Sequence, residues 1–221
     1  MKLFLDTANS DDIREAVQLG VLSGITTNPS LAAKEGIGDL ASYKTAVLEI
    51  AAVVDGPISV EVTSLETEEM VLQARDIVTW HPNVVVKLPS TRDGFQAMAV
   101  VAREGTRINQ TLCFSVNQAL LGAQIGVSYV SPFVGRLDDA GHDGMGVVAD
   151  IVEVFRKHDI STQVLAASLR HPLHVIAAAK AGAHVATLPY ELLKQMMHHP
   201  LTDVGAARFA QDWQHAFRAK G

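Results

Sequence analysis

One lysine, Lys87, interrupts the apolar run Val84-Val85-Val86-Lys87-Leu88-Pro89. A run this short and this rich in β-branched residues reads as a strand buried on both faces, of the kind found in parallel sheets. An unpaired ammonium is costly in such a place, and burial favours the neutral amine. A neutral amine is a nucleophile. It can attack a ketone to form a Schiff base, which then serves as the electron sink for breaking or making the adjacent carbon–carbon bond. A second reading stands beside this one, in which Lys87 pairs with a carboxylate and only fills the interior of a sheet.

Other polar residues recur where apolar runs end. Asp6 closes the first run, Thr26-Thr27-Asn28 the second, and Glu61 with Thr63 the third. Asn109 and Thr111 alternate and so share a face. Ser131 is followed by Phe133 and Arg136, and Ser168 by Arg170. Asp6 and Glu61 supply two carboxylates, enough for one proton shuttle and one activator of water. Either could instead be the counter-ion of Lys87. Guanidinium groups at Arg136 and Arg170 suit bidentate capture of a phosphate. Of nine histidines, two fall in His171-Pro172-Leu173-His174. No acidic partner stands at metal-ligand spacing there and Pro172 marks a helix start, so no metal site is expected. The stretch from Gly135 to Gly144 is rich in glycine but has no Walker lysine, which argues against a nucleotide.

These side chains converge only if the elements carrying them close on one another. Hydrophobic pattern and turn signals predict eight strands, over residues 2–6, 23–26, 58–63, 84–88, 108–114, 128–133, 163–167 and 185–188. Segments of helical period lie between them, over residues 10–19, 39–54, 67–79, 93–103, 116–124, 143–157 and 172–181, with Ser10, Asp93 and Asp143 as N-caps. Gly20, Gly105, Gly126 and Gly182 each stand shortly before a strand, where a left-handed residue ends a helix. Eight βα units predict an α/β (β/α)8 barrel, a TIM barrel, formed by residues 1–221 as one domain, with strand C-termini meeting at one mouth. An open doubly wound sheet is the alternative; no Gly-x-Gly-x-x-Gly follows the first strand. An added C-terminal helix over about residues 202–217 carries Phe209, Trp213 and Phe217 on one face, to pack on its own barrel or on a neighbouring subunit.

Composition fits this picture. The chain has 221 residues, 48% hydrophobic and 19% charged, and can bury one sizeable core. A net charge of −6 supplies no basic footprint for nucleic acid, and no run approaches a membrane span. The single cysteine, Cys113, excludes an intrachain disulfide and suits a reducing compartment, so a cytoplasmic location is expected.

Taken together, the segments Phe4-Leu5-Asp6-Thr7-Ala8, Gly24-Ile25-Thr26-Thr27-Asn28-Pro29-Ser30, Val86-Lys87-Leu88-Pro89, Asn109-Gln110-Thr111-Leu112, Ser131-Pro132-Phe133-Val134-Gly135-Arg136 and Ala166-Ala167-Ser168-Leu169-Arg170 resemble the transaldolases, in the small subfamily that also holds the fructose-6-phosphate aldolases. The resemblance implies a (β/α)8 barrel with no metal or organic cofactor. It implies transfer of a dihydroxyacetone unit from sedoheptulose 7-phosphate or fructose 6-phosphate to an aldose phosphate, a step of the pentose phosphate pathway. By position, Lys87 is similar to the Schiff-base lysine, Asp6 to the base acting at bond cleavage, and Glu61 with Thr111 to the pair that positions water. Asn28, Thr27, Asn109, Ser131 and Phe133 resemble substrate-binding groups, and Arg136, Ser168 and Arg170 the phosphate site. Aldolases of this group carry tyrosine at the place of Phe133 and glutamine at that of Glu61, so the resemblance favours transaldolase. Leu169 and Gln110 depart from the usual pattern and alter packing rather than chemistry. The resemblance also implies a homo-oligomer, a pentamer or decamer. Fructose-6-phosphate aldolase and a non-catalytic sugar-phosphate binding barrel are the alternative functions.

Overall fold

A computed structural model describes residues 1–218. Eight strands, β1 (Lys2–Asp6), β2 (Ile25–Thr26), β3 (Ile58–Glu61), β4 (Val84–Pro89), β5 (Ile108–Cys113), β6 (Tyr129–Pro132), β7 (Gln163–Ala166) and β8 (Val185–Leu188), are all parallel. They follow chain order around a closed barrel, with β8 returning to β1. The helices outside are α1 (Ser10–Gln18), α2 (Pro29–Lys34), α3 (Leu40–Ala51), α4 (Thr67–Ile77), α5 (Arg92–Arg103), α6 (Val116–Ile125), α7 (Val134–Asp139), α8 (Gly144–Lys157), α9 (Pro172–Ala181), α10 (Tyr190–Met197) and α11 (Pro200–Arg218). The barrel is thus the expected (β/α)8 architecture with a helix added at the end.

Each predicted strand is present, the second reduced to two residues. Asp143 caps α8 as expected, its carboxylate accepting from the Gly146 N–H. The caps of α1 and α5 are Asn9 and Thr91, not Ser10 and Asp93. Asn9 and Thr91 have extended backbones that aim their oxygens at the free N–H groups of the first turn, whereas Ser10 and Asp93 already lie inside their helices. The four glycines before strands all take positive φ, from 69° to 87°. Three short helices, α2, α7 and α10, carry too few turns to show a helical period. α2 is instead marked by Asn28, whose side chain accepts from the Leu31 N–H, followed by Pro29 at the first helical position.

The main core lies between strands and helices, where Ile25, Ile58, Val86, Ile108 and Val130 face the helices and are fully buried. A smaller cluster of Phe4, Leu165, Ala167 and Val185 is separate from it, with Tyr129 and Phe133 packed against it. Phe4 lies two residues before Asp6 and Val185 two before Thr187, so strand alternation stacks this apolar group beneath the polar mouth. Gly24 makes room for it, since a Cβ there would stand 2.7 Å from the Phe4 ring. The aromatic face of α11 does not pack on its own barrel. Phe209, Trp213 and Phe217 are 75%, 67% and 66% exposed. Cys113 is buried, and burial pushes its thiol up to about 11. Among the described residues no helix is long and apolar enough to cross a membrane.

Candidate active site

A cavity open to solvent occupies the mouth formed by the strand C-termini. Asp6, Thr26, Lys87 and Ser131 contribute strand ends to its wall. Asn28, Phe133, Arg136 and Ser168 reach it from the loops and from α7, and Leu165, Ala167 and Thr187 complete the lining. Strand length explains the convergence. In a parallel barrel the last inward residue of each strand points at the same axis, and these strands end where polarity resumes.

Lys87 is only 4% exposed. Its Nζ lies 2.8 Å from Glu61 Oε2 and donates to the Thr27 carbonyl at 3.0 Å. Glu61 and Lys87 are partners in the β3–β4 register, so neighbouring strands deliver both ends of the ion pair. The paired-lysine geometry is therefore present, and the proton that the amine must lose before it attacks anything has a carboxylate in contact. Asp6 accepts a hydrogen bond from Thr26 Oγ1 at 2.7 Å, and that hydroxyl also lies 2.7 Å from Thr187 Oγ1.

Asn109 is fully buried on the inner face of β5, its Nδ2 donating to Ser59 Oγ at 3.0 Å and its Oδ1 accepting from Ser131 Oγ at 2.6 Å. Thr111, two residues on, is buried with no hydrogen-bond partner for its hydroxyl among the described residues. Directly after it Leu112 adopts φ of 51° and the β5–β6 register shifts, which ends regular pairing beside Thr111.

One arginine belongs to α7 and a second packs against that helix. Arg136 stacks its guanidinium 4.9 Å from the centre of the Phe133 ring and lines the cavity. Arg170 does not line it. Its Nη2 donates to Asp139 Oδ2 at 2.7 Å, and its stem crosses Gly135, where a Cβ would come within 2.4 Å of Arg170 Nε. Ser168 holds φ of 58°, unusual for a side-chain-bearing residue, and its carbonyl accepts the Gly135 N–H at 2.9 Å.

A sequence model of the transaldolase/fructose-6-phosphate aldolase family matches residues 3–220. The chain belongs to this family. It is 56% identical over 215 residues to a probable transaldolase of Dehalococcoides mccartyi, covering 97% of this chain and 98% of the relative. It is 58% identical over 213 residues to one of Desulforudis audaxviator, covering 96% and 97%. A solved thiamine phosphate pyrophosphorylase from Pyrococcus furiosus superposes with a TM-score of 0.59 at 16% identity, over 85% of each chain, and that likeness concerns the fold alone.

Within this family member, seven of the twelve residues singled out from sequence line the cavity: Asp6, Asn28, Lys87, Ser131, Phe133, Arg136 and Ser168. Glu61 and Asn109 contact those residues from behind, and Thr111 stands on the inner face shared with Asn109. The Thr27 side chain points the other way, its Oγ1 bonded to Tyr43 Oη at 2.5 Å and donating to the Ser59 carbonyl at 2.9 Å. Thr26, not Thr27, presents its hydroxyl to the cavity. Alternation along β2 accounts for this, since Ile25 faces the helices and the next residue must face in. Tyr43 escaped sequence reading because it sits on α3, far from any strand end. It is 3% exposed, and burial pushes its hydroxyl up to about 12, with hydrogen bonding to Thr27 and to the Glu61 backbone acting in the opposite sense. Among the described residues no group of three or more His, Cys, Asp and Glu is placed to hold a metal ion.

Proposed function

We propose that this chain is a transaldolase, moving a dihydroxyacetone unit from a ketose phosphate to an aldose phosphate through a Schiff base on Lys87. One observation carries the reading: a buried lysine at a cavity wall, with Glu61 touching its Nζ and Asp6 on the same cavity. Glu61 takes the ammonium proton, and the freed amine adds to the keto carbon of the sugar. The same carboxyl group then protonates the carbinolamine hydroxyl, which leaves as water to give the iminium. Thr111 offers its unpartnered hydroxyl to that water. Asp6 removes the hydroxyl proton from the carbon beyond the scissile bond. As that bond breaks, its electron pair moves into the iminium, an enamine remains on Lys87, and the aldehyde departs. An aldose phosphate reverses these steps with Asp6 returning the proton, and hydrolysis frees the lysine.

Asn28, Asn109 and Ser131 hold the three-carbon unit in this scheme, and the 2.6 Å bond from Ser131 to Asn109 fixes both beforehand. Arg136 and Ser168 receive the phosphate at the cavity wall, and Arg170 reaches it from outside that wall by exchanging Asp139 for the phosphate. The apolar floor of Phe4, Leu165 and Val185 keeps water from one side of the enamine. Phe133 brings no acidic hydroxyl into the cavity and Glu61 is a carboxylate, which supports transfer over release of free dihydroxyacetone. The uncovered aromatic face of α11 supports a homo-oligomer, a pentamer or decamer, and the single buried thiol supports a cytoplasmic setting.

Borohydride reduction with fructose 6-phosphate tests the central step. The expected result is an irreversible mass increase equal to a reduced three-carbon adduct, absent in Lys87→Ala. No adduct on a folded protein would overturn the reading and leave a sugar-phosphate binding barrel. Glyceraldehyde 3-phosphate formed at equal rates with and without erythrose 4-phosphate would point to an aldolase.

A further inference from the structure

The segment His171-Pro172-Leu173-His174 has no part in the chemistry above, yet its second imidazole connects both arginine-bearing segments. The His174 side chain is 13% exposed, with its ring 3.8 Å from that of His171 between centres. Its Nδ1 accepts the Arg170 backbone N–H at 3.2 Å. Its Nε2 lies 3.2 Å from Asp138 Oδ2. The other Asp138 oxygen, Oδ1, accepts the Gly144 N–H at 2.9 Å. Asp138 belongs to α7, which carries Arg136, and Arg170 belongs to the loop between β7 and α9.

Only one protonation state satisfies both contacts. A backbone N–H aimed at Nδ1 requires a lone pair there, so the single ring proton sits on Nε2 and is donated to Asp138. A second proton would turn Nδ1 into a donor facing another donor, and the bond to Arg170 would be lost. Asp138 attracts the resulting imidazolium, whereas His171 and the Arg170 guanidinium oppose it. Arg170 is itself held by Asp139. Burial and His171 outweigh Asp138, and the ring takes up a proton below the usual histidine range.

We infer that His174 is a positioning residue for the sugar phosphate: neutral, it fastens the Arg170 loop to α7, and protonated, it lets that loop go, so acid weakens binding of phosphorylated substrates selectively. This rests on the phosphate role given to Arg136, Ser168 and Arg170 above. The contact is to the backbone of Arg170, so His174 acts on where the guanidinium starts from and touches no substrate atom.

The test compares wild type with His174→Asn, whose amide oxygen can accept the Arg170 N–H but does not titrate. KM for fructose 6-phosphate is measured from about pH 8 to about pH 5.5, with free dihydroxyacetone as the unphosphorylated control. A sugar phosphate titrates near pH 6 itself, so the readout is the ratio of wild type to H174N at each pH. The expected ratio climbs on acidification toward a limit of about fivefold, the worth of one buried hydrogen bond, and the dihydroxyacetone ratio stays flat. Superimposable profiles would overturn the inference. Arg170→Ala at about pH 8 separates the two failures. If it raises KM for fructose 6-phosphate while the profiles superimpose, only the role of His174 falls; if it leaves KM unchanged, the phosphate site falls with it. Imidazole nitrogen NMR on wild type needs no variant. A proton on Nε2 at about pH 8, with proton uptake displaced to lower pH by saturating fructose 6-phosphate, is the expected result. A proton on Nδ1, or no displacement, would overturn it.

Discussion

Glu61 and Lys87 stand opposite each other on β3 and β4, and their charged ends meet at 2.8 Å inside the barrel. Both are largely shielded from water, with side chains 13% and 5% exposed. Removing one member leaves the other charge buried without compensation, which typically costs about 3–5 kcal/mol. Glu61→Ala should therefore lower the urea unfolding free energy by about 3 kcal/mol, and Lys87→Met/Glu61→Leu should recover most of it. A single-variant loss below about 1 kcal/mol would mean that the pair is effectively solvated.

Tyr43 reinforces that pair from outside the barrel. Its hydroxyl reaches Thr27, whose carbonyl holds Lys87 Nζ, and its ring packs edge-on against Trp80 at 6.1 Å. Tyr43→Phe keeps the ring and removes the bond, so stability should fall by about 1 kcal/mol. The kinetic effect should appear as a lower kcat with little change in KM for phosphorylated sugars, since the phosphate groups lie elsewhere. A rise in KM at constant kcat would argue that Tyr43 shapes the binding cavity and not the lysine.

The barrel and the lysine were legible because a short β-branched run and a strand–helix alternation are one-dimensional signals. Asp6 and Glu61 followed from them as residues at strand ends, and Asn109 from its alternation with Thr111 along β5. The resemblance puts Thr27 among the substrate-binding groups, whereas its hydroxyl turns to Tyr43 and the neighbouring Thr26 lines the cavity. Tyr43 and His174 were not legible as parts of the site. Their contacts, to a hydroxyl 16 residues away and to a carboxylate on α7, depend on how helices seat on the barrel. The side chain of Arg170 also depends on tertiary contact, since Asp139 and the bare backbone of Gly135 decide its course.

Gly135 follows directly from that last contact. A Cβ at this position would lie 2.3 Å from the Ser168 carbonyl oxygen and 2.4 Å from Arg170 Nε. The backbone oxygen cannot yield as a side chain can, and overpacking of this kind costs about 1–3 kcal/mol. Gly135→Ala should lower stability by that amount and raise KM for fructose 6-phosphate more than for free dihydroxyacetone. Equal changes in both would separate Gly135 from the phosphate site.

Phe133 offers the simplest test of partitioning. Its ring lines the cavity, edge-on to Phe114 at 5.8 Å and beneath Arg136. Phe133→Tyr adds an acidic hydroxyl where the enamine forms, and a positioned proton donor is worth about a hundredfold or more. Release of free dihydroxyacetone, assayed without acceptor, should rise at least about tenfold relative to transfer. An unchanged ratio would place the ring too far from the enamine carbon to protonate it.

The helix α11 makes the last prediction, and it concerns assembly. Leu201 and Val204 join Phe209, Trp213 and Phe217 in exposing large apolar groups along one helix, and among the described residues no other element covers them. Phe209, Trp213 and Phe217, four residues apart, form an exposed apolar stripe of the kind that marks an interaction site. Trp213 and Phe217 already pack together with tilted rings, 5.1 Å between ring centres, so a partner would meet a formed aromatic pair. Trp213→Glu places a charge at the middle of that face, where burial against a second copy would be strongly unfavourable. Sedimentation velocity should show wild type as an oligomer and the variant shifted to smaller species, with far-UV circular dichroism unchanged. Identical sedimentation of both proteins would show that contacts through this helix do not hold the assembly together.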